Sequence, residues 1–329
     1  MKHLIFYIFG LFSVLNIQAQ DALNIVASAS MIADIASEVV GDSHEIEMIV
    51  PIGGDPHLHE PTPSDARLVA DADLILINGL TFEGWINELI ENSGTKAKVV
   101  VVTDGVKVLS SQTYKNSADP HAWMDAANGA IYAKNIAKAI SELDIVNAGK
   151  YAQRLNEYQS RLKSLDQEIQ QKIMSIPEEQ RILITSHDAF QYYGRKYGIQ
   201  LEAIMGISTE AEAQTADIMR VSRVIREKKV PAIFVESTIN PKLIEQLAKD
   251  NKVSIGGELF ADSLGDSESE AASYIDMLRY NTETIVQALT KQISGEGYTE
   301  KSGLNYTFLV FLGLFLFAGL GLAIYFLNQ

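Results

Sequence analysis

No cysteine occurs among the 329 residues. Its absence excludes disulfides, zinc–thiolate sites, a thiol nucleophile and an N-terminal lipidated cysteine. Any metal site must therefore draw on His, Asp and Glu. Positive charge is also scarce: 27 Lys and Arg face 42 Asp and Glu, a formal charge of −15. That balance argues against a general phosphate-binding surface, and so against a nucleic-acid partner. It suits a cation-handling protein, but equally any acidic soluble one. Charged residues make up 21% and hydrophobic ones 47%, which excludes a disordered chain. The length allows one large or two ordinary domains with ample core.

The two ends read as targeting segments. Met1-Lys2-His3 precedes the apolar run LIFYIFGLFSVL (4–15) and the polar NIQAQ. A short positive start, a short apolar core and a small residue at Ala19 predict a secretory signal over 1–20, cut after Ala19 or Gln20. At the other end Tyr306 to Leu327 carries no charge. At about 1.5 Å per residue that run reaches about 33 Å, enough for a bilayer core. It predicts a C-terminal transmembrane helix over 306–327, behind a polar linker over 294–305. The expected location is an exported domain held at the cytoplasmic membrane by its C-terminus.

Between the ends lie eight short β-rich runs. Four are LNIVAS (23–28), HEIEMIV (44–50), LILIN (74–78) and KVVVVT (98–103). The other four are RILITS (181–186), LEAIM (201–205), AIFVES (232–237) and KVSIGG (252–257). Helical patterns separate most of them, which predicts parallel sheets built by crossovers. Four and four suggest two α/β halves, an N-terminal lobe over 21–146 and a C-terminal lobe over 177–293. Over 147–176, Tyr151, Leu155, Tyr158, Leu162, Leu165, Ile169 and Ile173 step by four and three, one face of a long helix that stops before Pro177. Between the halves it is either a rigid connector or an ordinary crossover helix. Thr62, Pro63 and Asp65 read as a helix start with a capping-box arrangement.

Six histidines are present. His3 leaves with the signal, and His44, beside Asp42 and Glu45, is expected to be an exposed strand residue. His57 and His59 lie in PIGGDPHLHEP (51–61), His121 in ADPHAWMD (118–125) and His187 in ITSHDAF (184–190). Asp262 lies in ELFADSLG (258–265). His57, His121, His187 and Asp262 each follow a predicted strand, two in each half, and in open parallel sheets that strand end is where ligands bind. Imidazole nitrogen with carboxylate oxygen is a donor set for Zn²⁺, Mn²⁺ or Fe²⁺. Isolated histidines after strands are as often plain loop or core residues. Alternate residues of an extended segment point opposite ways, so His57 is kept as a ligand candidate and His59 as a lining residue.

At these residues a family resemblance emerges. GGDPHLHEPTPSD, DPHAWMD, TSHDAFQYYGRKYGI, GISTEAEAQTADI (206–218), PAIFVESTINPKLIEQLA (231–248) and LFADSLG stand in order along the chain. Together they resemble the metal-binding receptors of zinc and manganese ABC importers, the ZnuA-like and TroA-like solute-binding proteins, over most of residues 22–293. The resemblance implies two α/β lobes, each a four-stranded sheet with helices, joined by one long rigid helix. It implies a metal between the lobes, with His57, His121, His187 and Asp262 as ligands. Relatives commonly carry Tyr at the position of His59. Manganese-selective relatives tend to have Glu at the position of His187, and three imidazoles favour zinc. Against zinc, residues 105–120 form a short loop without the His-rich insertion of dedicated zinc receptors. The expected cargo is zinc first, manganese next and iron third.

The implied partners are an ABC permease and its ATPase subunit, with this chain a monomer. No G-x-x-x-x-G-K-[ST] motif is present to bind nucleotide. Asp119 and Asp188, each beside a ligand candidate, are either ring-orienting carboxylates or simple loop caps. The rival readings are a zinc hydrolase, with Glu60 or Glu236 as an imaginable base, and a metal-binding surface adhesin. Nothing in the sequence sets either glutamate at a metal, and no H-E-x-x-H motif occurs.

Overall fold

The computed structural model of the protein describes residues 22–110 and 118–290. The first lobe runs β1 (Ile25–Ala27), α1 (Ser30–Val40), β2 (Ile46–Met48), α2 (Pro63–Ala70), β3 (Leu74–Ile77), α3 (Ile86–Ser93), β4 (Lys98–Val101) and α4 (Ala126–Leu143). The connector α5 (Ala148–Met174) follows. The second lobe runs β5 (Ile182–Thr185), α6 (Gln191–Tyr197), β6 (Gln200–Ala203), α7 (Thr215–Lys228), β7 (Ala232–Glu236), α8 (Lys242–Asn251), β8 (Ser254–Leu259) and α9 (Tyr274–Thr290). Each of the eight apolar runs contributes one strand.

The first lobe holds one parallel sheet of order β2-β1-β3-β4. Its strands are buried on both faces where they are central, as the all-apolar LILI of β3 requires. The second lobe differs from the expected four-stranded sheet. Its strands form two parallel pairs, β5-β6 and β7-β8. β5 and β7 lie side by side without ladder bonds. At their carboxyl ends a side chain makes the link instead: His187 N donates to Glu236 Oε1 at 2.9 Å.

The α5 stripe is buried as its periodicity predicts. Tyr151, Tyr158, Leu162, Leu165, Ile169 and Ile173 belong to one large core cluster. That cluster also holds α1 residues (Ile32, Ile35), α4 residues (Ile136, Ile140) and α9 residues (Leu278, Ile285). Each such side chain contributes about 1.5–3 kcal/mol of apolar burial. The connector is thus part of the core of both lobes rather than a free strut. At α2 the capping box is present: Asp65 N donates to Thr62 Oγ1 at 3.3 Å and Thr62 N to Asp65 Oδ2 at 2.7 Å.

Two expectations are corrected. His44 is not exposed: its ring is 4% exposed, accepting from Leu23 N on Nδ1 (3.0 Å) and meeting Tyr151 Oη with Nε2 (2.8 Å). The expected transmembrane helix over 306–327, like the leader over 1–20, lies outside the described residues. Among the described residues no helix is long and apolar enough to cross a membrane. The longest, α5, fails because its solvent face is charged along its length, with Arg154, Lys163 and Glu168 among others. Among the described residues the fold class is therefore two α/β lobes with a connecting helix, with no membrane-spanning helix in it.

One buried charge in this core has a pH signature. Asp34 on α1 accepts from Tyr274 N at 2.9 Å, capping α9. Burial pushes its carboxyl up to about 6; the Tyr274 bond opposes this, and the charges of Glu38 and Asp276 add to it. The folded state therefore holds this proton more tightly than the unfolded chain, whose carboxyl titrates near 3.8. The stability it lends is complete below about 3.8 and is lost as pH rises through about 6. Asp34→Asn keeps an acceptor without the titration. We expect its Tm advantage over wild type to be larger at pH 7.5 than at pH 4.5, and a thermal-melt series against pH checks this.

Candidate metal centre

All four expected residues converge. One ligand atom each from His57, His121, His187 and Asp262 lies within 4.8 Å of every other, and all four residues are buried. His57 Nε2 is 3.4 Å from His121 Nε2 and 3.9 Å from Asp262 Oδ2. Asp262 Oδ1 is 3.5 Å from His121 Nε2, and Oδ2 is 3.1 Å from His187 Nε2. Tetrahedral donors at zinc bond lengths of about 2.0–2.1 Å stand about 3.3 Å apart, so the cluster has the dimensions of one coordination sphere. Both oxygens of Asp262 are buried with no hydrogen-bond donor beside them except the imidazole nitrogens of the cluster, 3.1–3.9 Å away. Buried polar atoms are rarely left so, and an ion would satisfy them.

Local sequence sets each ligand. After β2 the chain turns at Gly53, whose φ of 82° lies in the left-handed region that favours glycine. Gly54 N donates to Pro51 O at 2.9 Å, and a Cβ on Gly54 would come within 2.9 Å of Val50 Cγ1. The following triplet, Asp55-Pro56-His57, recurs after β4 as Asp119-Pro120-His121. In both, the Asp carboxylate accepts from the His backbone N–H two residues on, at 2.8 Å for Asp55 and 2.9 Å for Asp119. Proline between them has no N–H to compete, and Asp side chains favour this local turn. Asp119 Oδ1 also lies 2.7 Å from His121 Nδ1, which turns Nε2 toward the cluster. Asn78 Nδ2 donates to Pro120 O at 3.0 Å and fixes that turn against β3.

In the second lobe His187 sits directly after β5. Its Nδ1 is 2.7 Å from Glu236 Oε2 at the end of β7, so one carboxylate holds both its backbone and its ring. Asp262 follows β8 and is gripped from the first lobe on both sides. Trp123 Nε1 donates to Ala261 O at 2.9 Å, and Gly53 N donates to Ser263 Oγ at 2.8 Å.

The charges are arranged unevenly. Burial, opposed by Asp262 and reinforced by His121 and His187, pulls the His57 imidazole down to about 3, so it stays neutral and ready to donate a lone pair. Burial alone would also lower His187. The charges of Glu236 and Asp262 outweigh it and hold that ring protonated well above the ordinary imidazole range. Burial would raise Asp262, but His187, His121 and His57 together hold it below the ordinary carboxylate range.

Residues outside the cluster also have definite places. His59 lies 3.1 Å from Asp65 Oδ2 and packs on the Trp85 ring at 4.7 Å, away from the four. Asp188 accepts from Gln191 at 2.7 Å and touches no ligand ring. Glu236, imagined from sequence as a base, is the partner of His187. Its signal was its place at the carboxyl end of β7, level with the residue after β5. The repeated Asp-Pro-His triplet was the overlooked signal for Asp55, while Asp119, read from sequence as a ring-orienting carboxylate or a loop cap, serves as both.

The profile described as ZnuA, "Zinc-uptake complex component A periplasmic", matches residues 25–288. The metal ABC transporter substrate-binding lipoprotein ScbA of Streptococcus cristatus is 38% identical over 82% of this chain and 89% of its own. The manganese ABC transporter substrate-binding lipoprotein PsaA of Streptococcus pneumoniae is 39% identical over 82% of this chain and 90% of its own. Among solved structures, the periplasmic zinc-binding protein TroA of Treponema pallidum superposes with a TM-score of 0.78 at 33% identity, covering 82% of this chain and 100% of TroA. The Mn-bound periplasmic metal-binding protein of Candidatus Liberibacter asiaticus superposes at 0.74 with 30% identity, over 80% of this chain and 98% of that one. The curated relatives are named as lipoproteins, and no helix among the described residues spans a membrane. Anchorage by a C-terminal helix, the location expected from sequence, is corrected on both findings. The chain belongs to the ZnuA family, the substrate-binding components of metal ABC importers.

Proposed function

We propose that His57, His121, His187 and Asp262 bind one divalent transition ion as cargo, zinc first and manganese next, and that the chain delivers it to a membrane permease driven by an ATPase subunit. The observation that carries this reading is the convergence of four buried donor atoms within 4.8 Å of one another, two from each lobe. Three imidazoles favour zinc over manganese by softness and by the Irving–Williams order. The carboxylate keeps the harder ion within reach. Manganese is the ion in the names of the PsaA relatives, zinc in that of TroA.

The working division of the chain is a leader over 1–20, lobes over 21–146 and 177–293, the connector over 147–176 and a linker over 294–305. A 27-residue helix buried in both lobes allows only small lobe movements, so release depends on loosening the cleft at its loops. A hydrolase reading has little support. It needs a free base beside a metal-bound water. Glu236 is committed to His187, and three imidazoles with Asp262 complete a four-coordinate set.

Zinc and manganese titrations of the purified protein by calorimetry test the ligand set. Wild type is expected to bind one equivalent tightly, and His187→Ala to bind at least about a hundredfold more weakly, as loss of one of four ligands requires. Binding indifferent to His187 would overturn the assignment. A second outcome concerns protons. The His187 ring carries a proton that the metal must displace. Metal binding near neutral pH should therefore release about one proton, and affinity should rise with pH. Calorimetry in buffers of different ionisation enthalpy reads this number, and Glu236→Gln should lower it.

A further inference from the structure

The two Asp-Pro-His turns share one backbone device but aim their carboxylates differently: Asp119 uses Oδ1 for both the His121 N–H and its ring, whereas Asp55 uses its two oxygens on different lobes. Asp119, 0% exposed, turns to its own histidine ring inside the first lobe. Asp55 stands at the rim of the cleft, and its Oδ2 accepts instead from Thr209 Oγ1, across the gap in the second lobe, at 2.6 Å. The same carboxylate holds His57 N with Oδ1. His57 is the most exposed of the four ligand candidates, at 5%. One carboxylate therefore ties the outermost ligand to the opposite lobe.

Thr209 is itself tied back to the site. Its segment extends the β5-β6 pairing: Met205 N donates to Ser186 O at 2.9 Å and Asp188 N to Gly206 O at 3.1 Å. Those bonds flank His187 on both sides. A continuous path of hydrogen bonds and short backbone links thus runs from His187 through residues 205–209 to Asp55 and His57. The neighbouring tie, Gly53 N to Ser263 Oγ, joins the same loop to the residue after Asp262. Both ties are partly buried, and Ser263 Oγ also donates to Leu264 O at 2.9 Å.

We propose that Thr209 is a positioning residue: its hydroxyl, through Asp55, holds His57 against the ion and sets the rate at which the ion leaves. The proposal rests on the metal-site reading above. A hydroxyl–carboxylate bond is charge-assisted and supports an effect of about tenfold or more on a rate that requires its rupture. In the proposed order the ion enters before the latch closes, so the association rate is insensitive to the latch.

The test is chelator-driven release from the zinc-loaded full chain, followed by stopped flow, with association rates measured in parallel. Thr209→Val matches the shape of threonine without the donor, and Thr209→Ser keeps the donor. We expect release about tenfold faster for Thr209→Val and Thr209→Ala, wild-type release for Thr209→Ser, association within about twofold throughout, and unchanged Tm of the metal-free proteins. Release at the wild-type rate in Thr209→Val, or equal acceleration in Thr209→Val and Thr209→Ser, overturns the latch while one tight equivalent still binds. Failure of wild type to bind zinc overturns the metal-site reading and the latch with it.

Discussion

A carboxylate buried to 1% exposure between two lobes is the constraint on which the rest of the structure depends. An ionised Asp262 in so dry a place is costly unless cations or donors surround it. Three imidazole Nε2 atoms face it, from two lobes and three loops. The protonated His187 is its counter-charge in the metal-free protein, and a divalent ion would replace that proton with two charges. The site is therefore electrostatically incomplete in a way that selects a cation. The −15 charge of the whole chain does not carry this selectivity; a handful of buried groups do.

Precision in such a site comes from what lies behind the ligands. Each inner histidine has its own carboxylate, Asp119 for His121 and Glu236 for His187, and each carboxylate fixes both a backbone N–H and a ring nitrogen. Asp262 has no such private support. Its neighbours Ala261 and Ser263 are held by Trp123 and Gly53 of the opposite lobe. His57 likewise depends on the opposite lobe through Asp55 and Thr209. Two of the four candidates are thus fixed within their lobes, and two are fixed only when the lobes are together. An ion held by these four would therefore be sensitive to the relative position of the lobes.

Much of this was legible in the chain. Short apolar β-rich runs marked all eight strands, most clearly the buried β3 and β5, because a strand covered on both faces of a parallel sheet must be apolar along its length. The four-and-three spacing from Tyr151 to Ile173 marked the connector, because only one face of that helix meets the core. The ligand candidates stood out because each follows a strand at the end where α/β sheets bind ligands. Other features were not legible. His44 reads as a surface residue from its acidic neighbours, yet it is enclosed by Tyr151 and Asp144, contacts a hundred or more residues away in sequence. The single sheet expected of the second lobe failed because strand count does not reveal whether adjacent strands share a ladder.

The sequence by itself determined the elements, the candidate donors and the family, since these follow from local periodicity, residue chemistry and ordered motifs. Only the tertiary structure decided which carboxylate serves which histidine. Asp188 sits next to His187 in the chain but bonds Gln191, while Glu236, 49 positions away, holds the ring. The reason is geometric. Side chains of consecutive residues diverge at the end of a strand, whereas neighbouring strands bring residues of distant sequence to the same edge. The Asp55–Thr209 bond, spanning 154 positions and the gap between lobes, was decided in the same way.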